Sequence, residues 1–430
     1  MRPRSWLAAA LLALCLLLPA SPVRAFLGDS QGAAGLDGSF RTLGAVVDNY
    51  SHPLLGSGRG QDLHAQSLAR FTLAGRPGEY SYQAHLVASH SYNSAGGATA
   101  GPLFGGGQGL RYRAMNLSRT WLDETYNRGE VWLDRLNLKR AFAWGDLTVG
   151  RQAITFGKAY FWNPLDVFLP FDPRQFDRDY KPGVDAVRLD LPLGPFSGLT
   201  LAGAAGRQLG PLGQAPEDGA DLAADWRGSA LLARAFALLG GLDLSAQAGK
   251  VYGGWQAGFG LVGEALGWQA RLEAAWFQAE GSPALPRPYS GAALQSGLTA
   301  VAGLGRRWPN SLDLQAEFLY NGLAEPEDLA ASLARFRSGA ALQASRYLLG
   351  VNLGCQPHPL LKASAVAMVS LADGSWQLQP LITYSLSDNS DLLAGASINR
   401  GERPSRESGL PESEFGSYPD LYFLQIKVYY

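Results

Sequence analysis

Two cysteines among 430 residues leave this chain with almost no thiol chemistry. Cys15 falls within the first 25 residues, and Cys355 is then alone, so the remainder can form no internal disulfide. Methionine is nearly as scarce, with 3. Neither charge sign dominates: 36 basic against 37 acidic residues argue against nucleic acid as the partner. Beyond residue 25 no apolar run reaches the roughly 18 residues that a membrane-crossing helix needs. C-x-x-C-H is missing, which excludes covalent c-type haem. The five histidines (52, 64, 85, 90, 358) show no metal-ligand spacing with cysteines or acids. Neither a cofactor nor a metal is expected.

What is present points to export. MRPRSWLAAALLALCLLLPASPVRA (1–25) places Arg2 and Arg4 before an apolar stretch from Trp6 to Leu18, and ends on Val23-Arg24-Ala25. That is the pattern of a cleaved secretory signal peptide. Residues 26–430 are read as a single domain outside the cytoplasm. Glycine is abundant (53), with 11 Trp and 17 Tyr, a mixture suited to a β protein.

Alternation recurs along the whole chain. In 268–277 (WQARLEAAWF), Trp268, Ala270, Leu272, Ala274 and Trp276 share one face, with Gln269, Arg271 and Glu273 on the other. Residues 312–320, 360–369, 376–384 and 421–430 repeat the scheme. Ten alternating residues suffice for a tilted strand to cross a bilayer, although a soluble sandwich strand alternates too. The connections separate the two. Short turns at 74–79, 143–146, 239–242, 265–268, 306–311, 356–359 and 387–390 interleave with long links at 94–128, 155–183, 208–224, 280–294, 321–342 and 400–418. The expected fold is all-β: a transmembrane antiparallel β-barrel of about 18 strands, with short periplasmic turns and long extracellular loops. Trp144, Trp268 and Trp308 flank short turns as one aromatic girdle, and the last strand ends on Tyr430.

The run TVGRQAITFG (148–157), followed by FWNPLDVF and GVDAVRLDLPLG (183–194), resembles the "GRQ … WG" region of porin-like outer-membrane barrels, nearest to the alginate-export type. Phe156 stands where such motifs often carry Trp. The resemblance implies diffusive passage of a polar solute and does not identify the solute. The expected function is an outer-membrane channel of a Gram-negative bacterium, passive or substrate-specific, for small polar solutes, anionic or saccharide, and not an enzyme. A sheath around a partner protein such as an electron-transfer cytochrome is the alternative, with a hydrolase behind it. Homo-oligomerisation stays open. For a hydrolase, a hairpin turning midway between Ala74 and Glu79 sets His64 opposite Ser89 and Asp62 opposite Ser91.

If apolar residues face lipid, the opposite parity faces the lumen. That set holds Arg70, His85, Arg135, Lys139, Arg188, Asp190, Asp243, Arg271, Glu273, Asp313, Glu317, Arg346, Lys362 and Lys427, a mild basic excess. Such rings set ion preference, although opposite charges on neighbouring strands could equally pair with one another. Arg151 has lipid-facing parity, and a bulge at Gly150 would turn it inward. The link at 153–183 is apolar yet broken by Pro164, Pro170 and Pro173, so it is neither helix nor central strand. It is the candidate constriction, folded into the mouth or across the rim, with Lys158, Tyr160, Trp162, Asp166, Phe168, Asp172, Arg174 and Arg178 at hand.

Overall fold

The computed structural model describes residues 27–28, 32–52, 60–97, 111–176, 179–207, 224–281, 294–337 and 339–430. The expected signal peptide and Arg178 lie outside them. Eighteen strands form the wall: β1 Gly35–Asp48, β2 Gln61–Gly75, β3 Tyr80–Asn93, β4 Asn127–Phe142, β5 Gly145–Gln152 and β6 Val184–Gly194. They continue as β7 Ser197–Ala204, β8 Ala230–Leu239, β9 Leu242–Val251, β10 Gly254–Ala265, β11 Trp268–Ala279 and β12 Gly297–Arg307. The last six are β13 Asp313–Asn321, β14 Tyr347–His358, β15 Leu361–Ser370, β16 Trp376–Ser387, β17 Ser390–Arg400 and β18 Asp420–Tyr429.

Each strand pairs antiparallel with the next, and β18 returns to β1 from Ser39↔Tyr429 to Asp48↔Asp420. The barrel is closed, which leaves no open edge in the wall. Tight turns are built from residues that tolerate positive φ, as at Gly240 (φ 59°) and Gly241 (φ 82°). Large side chains such as Phe71, Leu138, Trp255, Phe259, Trp276, Phe318 and Leu424 stand exposed on the outer face, as a lipid-facing band requires.

Three features depart from the expected pattern. The link between β13 and β14 contains a helix, α1 (Leu329–Arg337), in which Asp328 Oδ1 caps Ala331 N at 2.9 Å. Its nine residues are too few for a helical period to show against the surrounding alternation. The β2–β3 hairpin turns further along than expected, so His64 pairs with Asn93, Ser91 with Gln66 and Ser89 with Leu68. That register separates the Ser–His–Asp set on which the hydrolase alternative rested. Finally, β5 ends early, and Ser118–Asp123 pairs with the exposed upper edge of β4 in its place.

Candidate functional site: the interior loop and the cationic wall

After Gln152 the chain enters the barrel. Ile154, Phe156 and Phe168 pack on Ala186, Ala202, Ala204, Ala230 and Leu232, the inward positions of β6, β7 and β8. Phe161 and Trp162 pack on Val301, Leu319, Leu348 and Met368, inward on β12 to β15, with Phe415 above them. Phe176 then reaches Leu43, Ala45, Leu393 and Phe423 on β1, β17 and β18. Each fully buried large apolar side chain contributes about 1.5–3 kcal/mol, so the loop is pressed on the wall at three separate places. The three prolines suit this course: each removes a backbone donor that could find no strand partner there.

The wall is shaped to receive it. A Cβ at Gly258 or Gly260 would lie 2.6 or 3.0 Å from the Leu165 methyls, and one at Gly350 would lie 2.9 Å from Phe161 and Trp162. Small inward residues are therefore the seat of the loop. Two inward carboxylates complete it. Glu273 accepts from the backbone N–H groups of Lys158 and Ala159 (3.1 Å for Ala159). Glu317 accepts from Tyr160 and Phe161 (2.7 Å for Phe161). Both are 1% exposed. Glu273 and Glu317 have the inward parity expected of them, but they hold the loop and offer nothing to a solute.

Other expected constriction residues divide the same way. Trp162, Asp166 and Phe168 are buried, and Asp166 is paired with Lys181. With the Gln343 amide turned to satisfy both neighbours, it accepts from Trp162 Nε1 (3.2 Å) and donates to Glu414 Oε1 (2.7 Å). Glu414 also accepts from Ser345 N at 2.8 Å. Burial pushes the Glu414 carboxyl above its ordinary range. Arg174 is bound to Asp172 at 2.7 Å and stacked between Phe336 of α1 (4.4 Å) and Tyr418 (4.6 Å), so it joins the interior loop to two outer links. Lys158, paired with Asp243, and Tyr160 are the partly exposed members of the set.

The remaining wall is different. Along β18, β1, β2 and β4, Lys427, Arg41, Arg70 and Arg135 point inward. Arg70 bonds Asp134 at 3.0 Å, and Asp134 also takes Arg113 at 2.9 Å. Asp179 of the loop takes Lys427 at 2.7 Å and Arg41 at 3.6 Å. Tyr180 lies between Arg41 (4.7 Å) and Arg70 (4.2 Å). Arg135 donates to the Lys181 carbonyl at 3.3 Å. Among the described residues, five cations thus gather about Asp134 and Asp179. Arg41 and Arg113 were not among the expected lumen residues; Arg41 shares its face with the apolar Leu43 and Ala45, which here point inward, so the rule that apolar residues face lipid misplaces it.

Elsewhere the inward charges are balanced. Lys139 pairs with Asp146 at 2.6 Å and Arg188 with Asp190 at 2.8 Å. Arg271 donates to Gln315 at 2.8 Å, while Gln315 donates to Asp313 at 3.2 Å. Arg346, just before β14, is spent on the Ala324 carbonyl at 2.9 Å. Arg234 stacks on Phe156 and Phe236 with no carboxylate partner among the described residues.

Arg151 is a structural residue. It pairs across from Leu136 and Asp185 with an unbroken register at Gly150, so the expected bulge is absent there. The register break lies one strand away, beside Asp134. Gly150 has φ 113°, and the Arg151 guanidinium is 2% exposed, bound to Asp185 (2.7 and 3.0 Å) and to the carbonyls of Leu133 and Met115. It knits the end of β5 to the segment that replaces it.

Similar barrels are known. A BenF-like porin from Pseudomonas fluorescens Pf-5 superposes with a TM-score of 0.56 at 10% identity, covering 93% of this chain and 99% of that one. The fold is a porin fold. OccAB2 of Acinetobacter baumannii gives a TM-score of 0.57 at 10% identity, over 94% and 99% of the two chains. OpdK of Pseudomonas aeruginosa, solved with vanillate, gives 0.52 at 11%, over 92% and 98%. No protein-family model and no curated protein sequence matches the chain. These porin neighbours do not support the comparison with alginate-export barrels.

Proposed function

We propose that this chain is an outer-membrane channel, exported by the segment at 1–25, for the passive diffusion of small polar solutes, with a preference for anionic or acidic saccharide solutes. The observation that carries this reading is the cationic sector, where Arg41, Arg70, Arg113, Arg135 and Lys427 gather about Asp134 and Asp179 at the junction of the interior loop and the wall. A net positive strip within a confined lumen raises the local concentration of anions. The loop 153–183 is the constriction, with Lys158 and Tyr160 at its open margin. Porin neighbours of nearly the same extent support the channel. A sheath for a cytochrome is disfavoured because the chain's own loops already occupy the interior with three apolar clusters.

Planar-bilayer recordings test this directly. The expected result is discrete single-channel conductance, with reversal potentials in a salt gradient that indicate anion preference, and block by small organic anions. Clear cation preference overturns the anion reading; absence of any conductance overturns the channel.

A further inference from the structure

The outer surface holds an arginine that the channel does not use. Arg306 sits at the short-turn end of β12 and pairs across from Leu314, so it shares the lipid-facing parity of Leu304, which is 52% exposed. An arginine on that face costs energy unless its charge meets water, a headgroup or an acid. Its guanidinium lies 5.4 Å from the Trp268 ring and 5.3 Å from the Trp308 ring. Those two rings meet edge to face, 6.0 Å apart. Gly267 (φ 72°), in the turn preceding Trp268, brings that turn beside the cation, where even a Cβ would lie 3.9 Å from Arg306 Cζ and Nη2, in ordinary contact.

The indoles fix the position of the cation without consuming its donors. Arg306 has no hydrogen bond or ion pair among the described residues, and it is only half-buried. Arg140 on the same rim is the contrast. It too lies over aromatic rings, Tyr80 and Phe142, but it has Glu79 at 3.8 Å. One cation of the rim is therefore provided with an acid by its own chain, and the other is held ready without one. A planar guanidinium with a fork of N–H donors matches a phosphate group. Two indoles beside it match the interfacial depth at which phospholipid phosphates lie.

We propose that Arg306, clamped by Trp268 and Trp308, binds the phosphate of an anionic glycerophospholipid at the short-turn rim of the barrel. The proposal rests on the outer-membrane reading, in which that rim faces the periplasmic leaflet. Native mass spectrometry of the full-length protein, released from vesicles of phosphatidylglycerol and phosphatidylcholine, tests it. Wild type should retain one phosphatidylglycerol more firmly than any phosphatidylcholine. Arg306→Gln should retain it about tenfold less, the loss of one charge-assisted contact. Arg306→Lys should be intermediate, and Arg140→Gln should match wild type.

Equal retention by Arg306→Gln and wild type overturns the site. So does displacement of the bound lipid by inorganic phosphate alone, or stronger retention of lipid A, which would indicate the opposite leaflet. Conductance of the same preparation separates the two readings: a silent protein that still retains phosphatidylglycerol fails as a channel and not as a lipid site.

Discussion

Two sectors of the same barrel wall have opposite characters. Between β6 and β15 the part of the inward face that meets the interior loop is small or apolar, and two of its carboxylates, Glu273 and Glu317, are turned against the loop backbone. From β18 through β1 and β2 to β4 the inward face carries arginine and lysine beside the apolar patch under Phe176, and the loop meets these cations with Asp179, Tyr180 and the Lys181 carbonyl. The two faces have the same strand alternation, yet one meets the loop through small residues and carboxylate acceptors and the other through a cluster of cations. An inward parity therefore says which way a residue points, and not whether water or solute reaches it.

That contrast can be broken most severely by removing what covers the seat. Deleting Tyr160–Asp172 uncovers Glu273 and Glu317, so conductance should rise severalfold and ion preference should move towards cations, read from single-channel currents and reversal potentials. Unchanged conductance in a folded barrel would refute the constriction. A milder version keeps the loop. In Glu273→Gln/Glu317→Gln each side chain retains one acceptor oxygen and sets an NH2 group against backbone donors. A hydrogen bond to a charged group contributes about 1.5–3 kcal/mol, and several are weakened together. Open-channel noise and backbone exchange at 158–161 should both increase, while the barrel strands stay protected.

On the other sector, Arg135→Gln should lower anion preference in reversal-potential measurements with little change in conductance, because Arg135 bonds only a loop carbonyl and holds no carboxylate in place. The smallest effect concerns the outer mouth. Burial raises the Glu414 carboxyl, so the folded links hold its proton more tightly than the unfolded ones. Packing of 401–418 is then firmest at acidic pH and loosens as pH rises through the folded value. Protection factors of that segment, its exchange rates corrected for the intrinsic pH dependence of amide exchange, should be higher at pH 5 than at pH 7.5 in wild type, and Glu414→Gln should remove the difference.

The sequence by itself determined the wall. A lipid-facing strand must alternate, a closed barrel must use short turns on one rim, and polar backbone must be paired throughout, so the positions of all eighteen strands can be read from period and punctuation. It also marked 153–183 as an element that had to be sheltered, since a proline-broken apolar loop can neither join the sheet nor face water. Only the tertiary structure decided where it lies. Gly258, Gly260 and Gly350 read as weak strand residues until Leu165, Phe161 and Trp162 are found above them. Glu273 and Glu317 read as lumen charges until the loop's N–H groups are found against them. The physical reason is range. Alternation is a local property repeated every two residues, whereas the seat depends on contacts many tens of residues apart, between a loop without periodicity and positions that the period alone treats as alike.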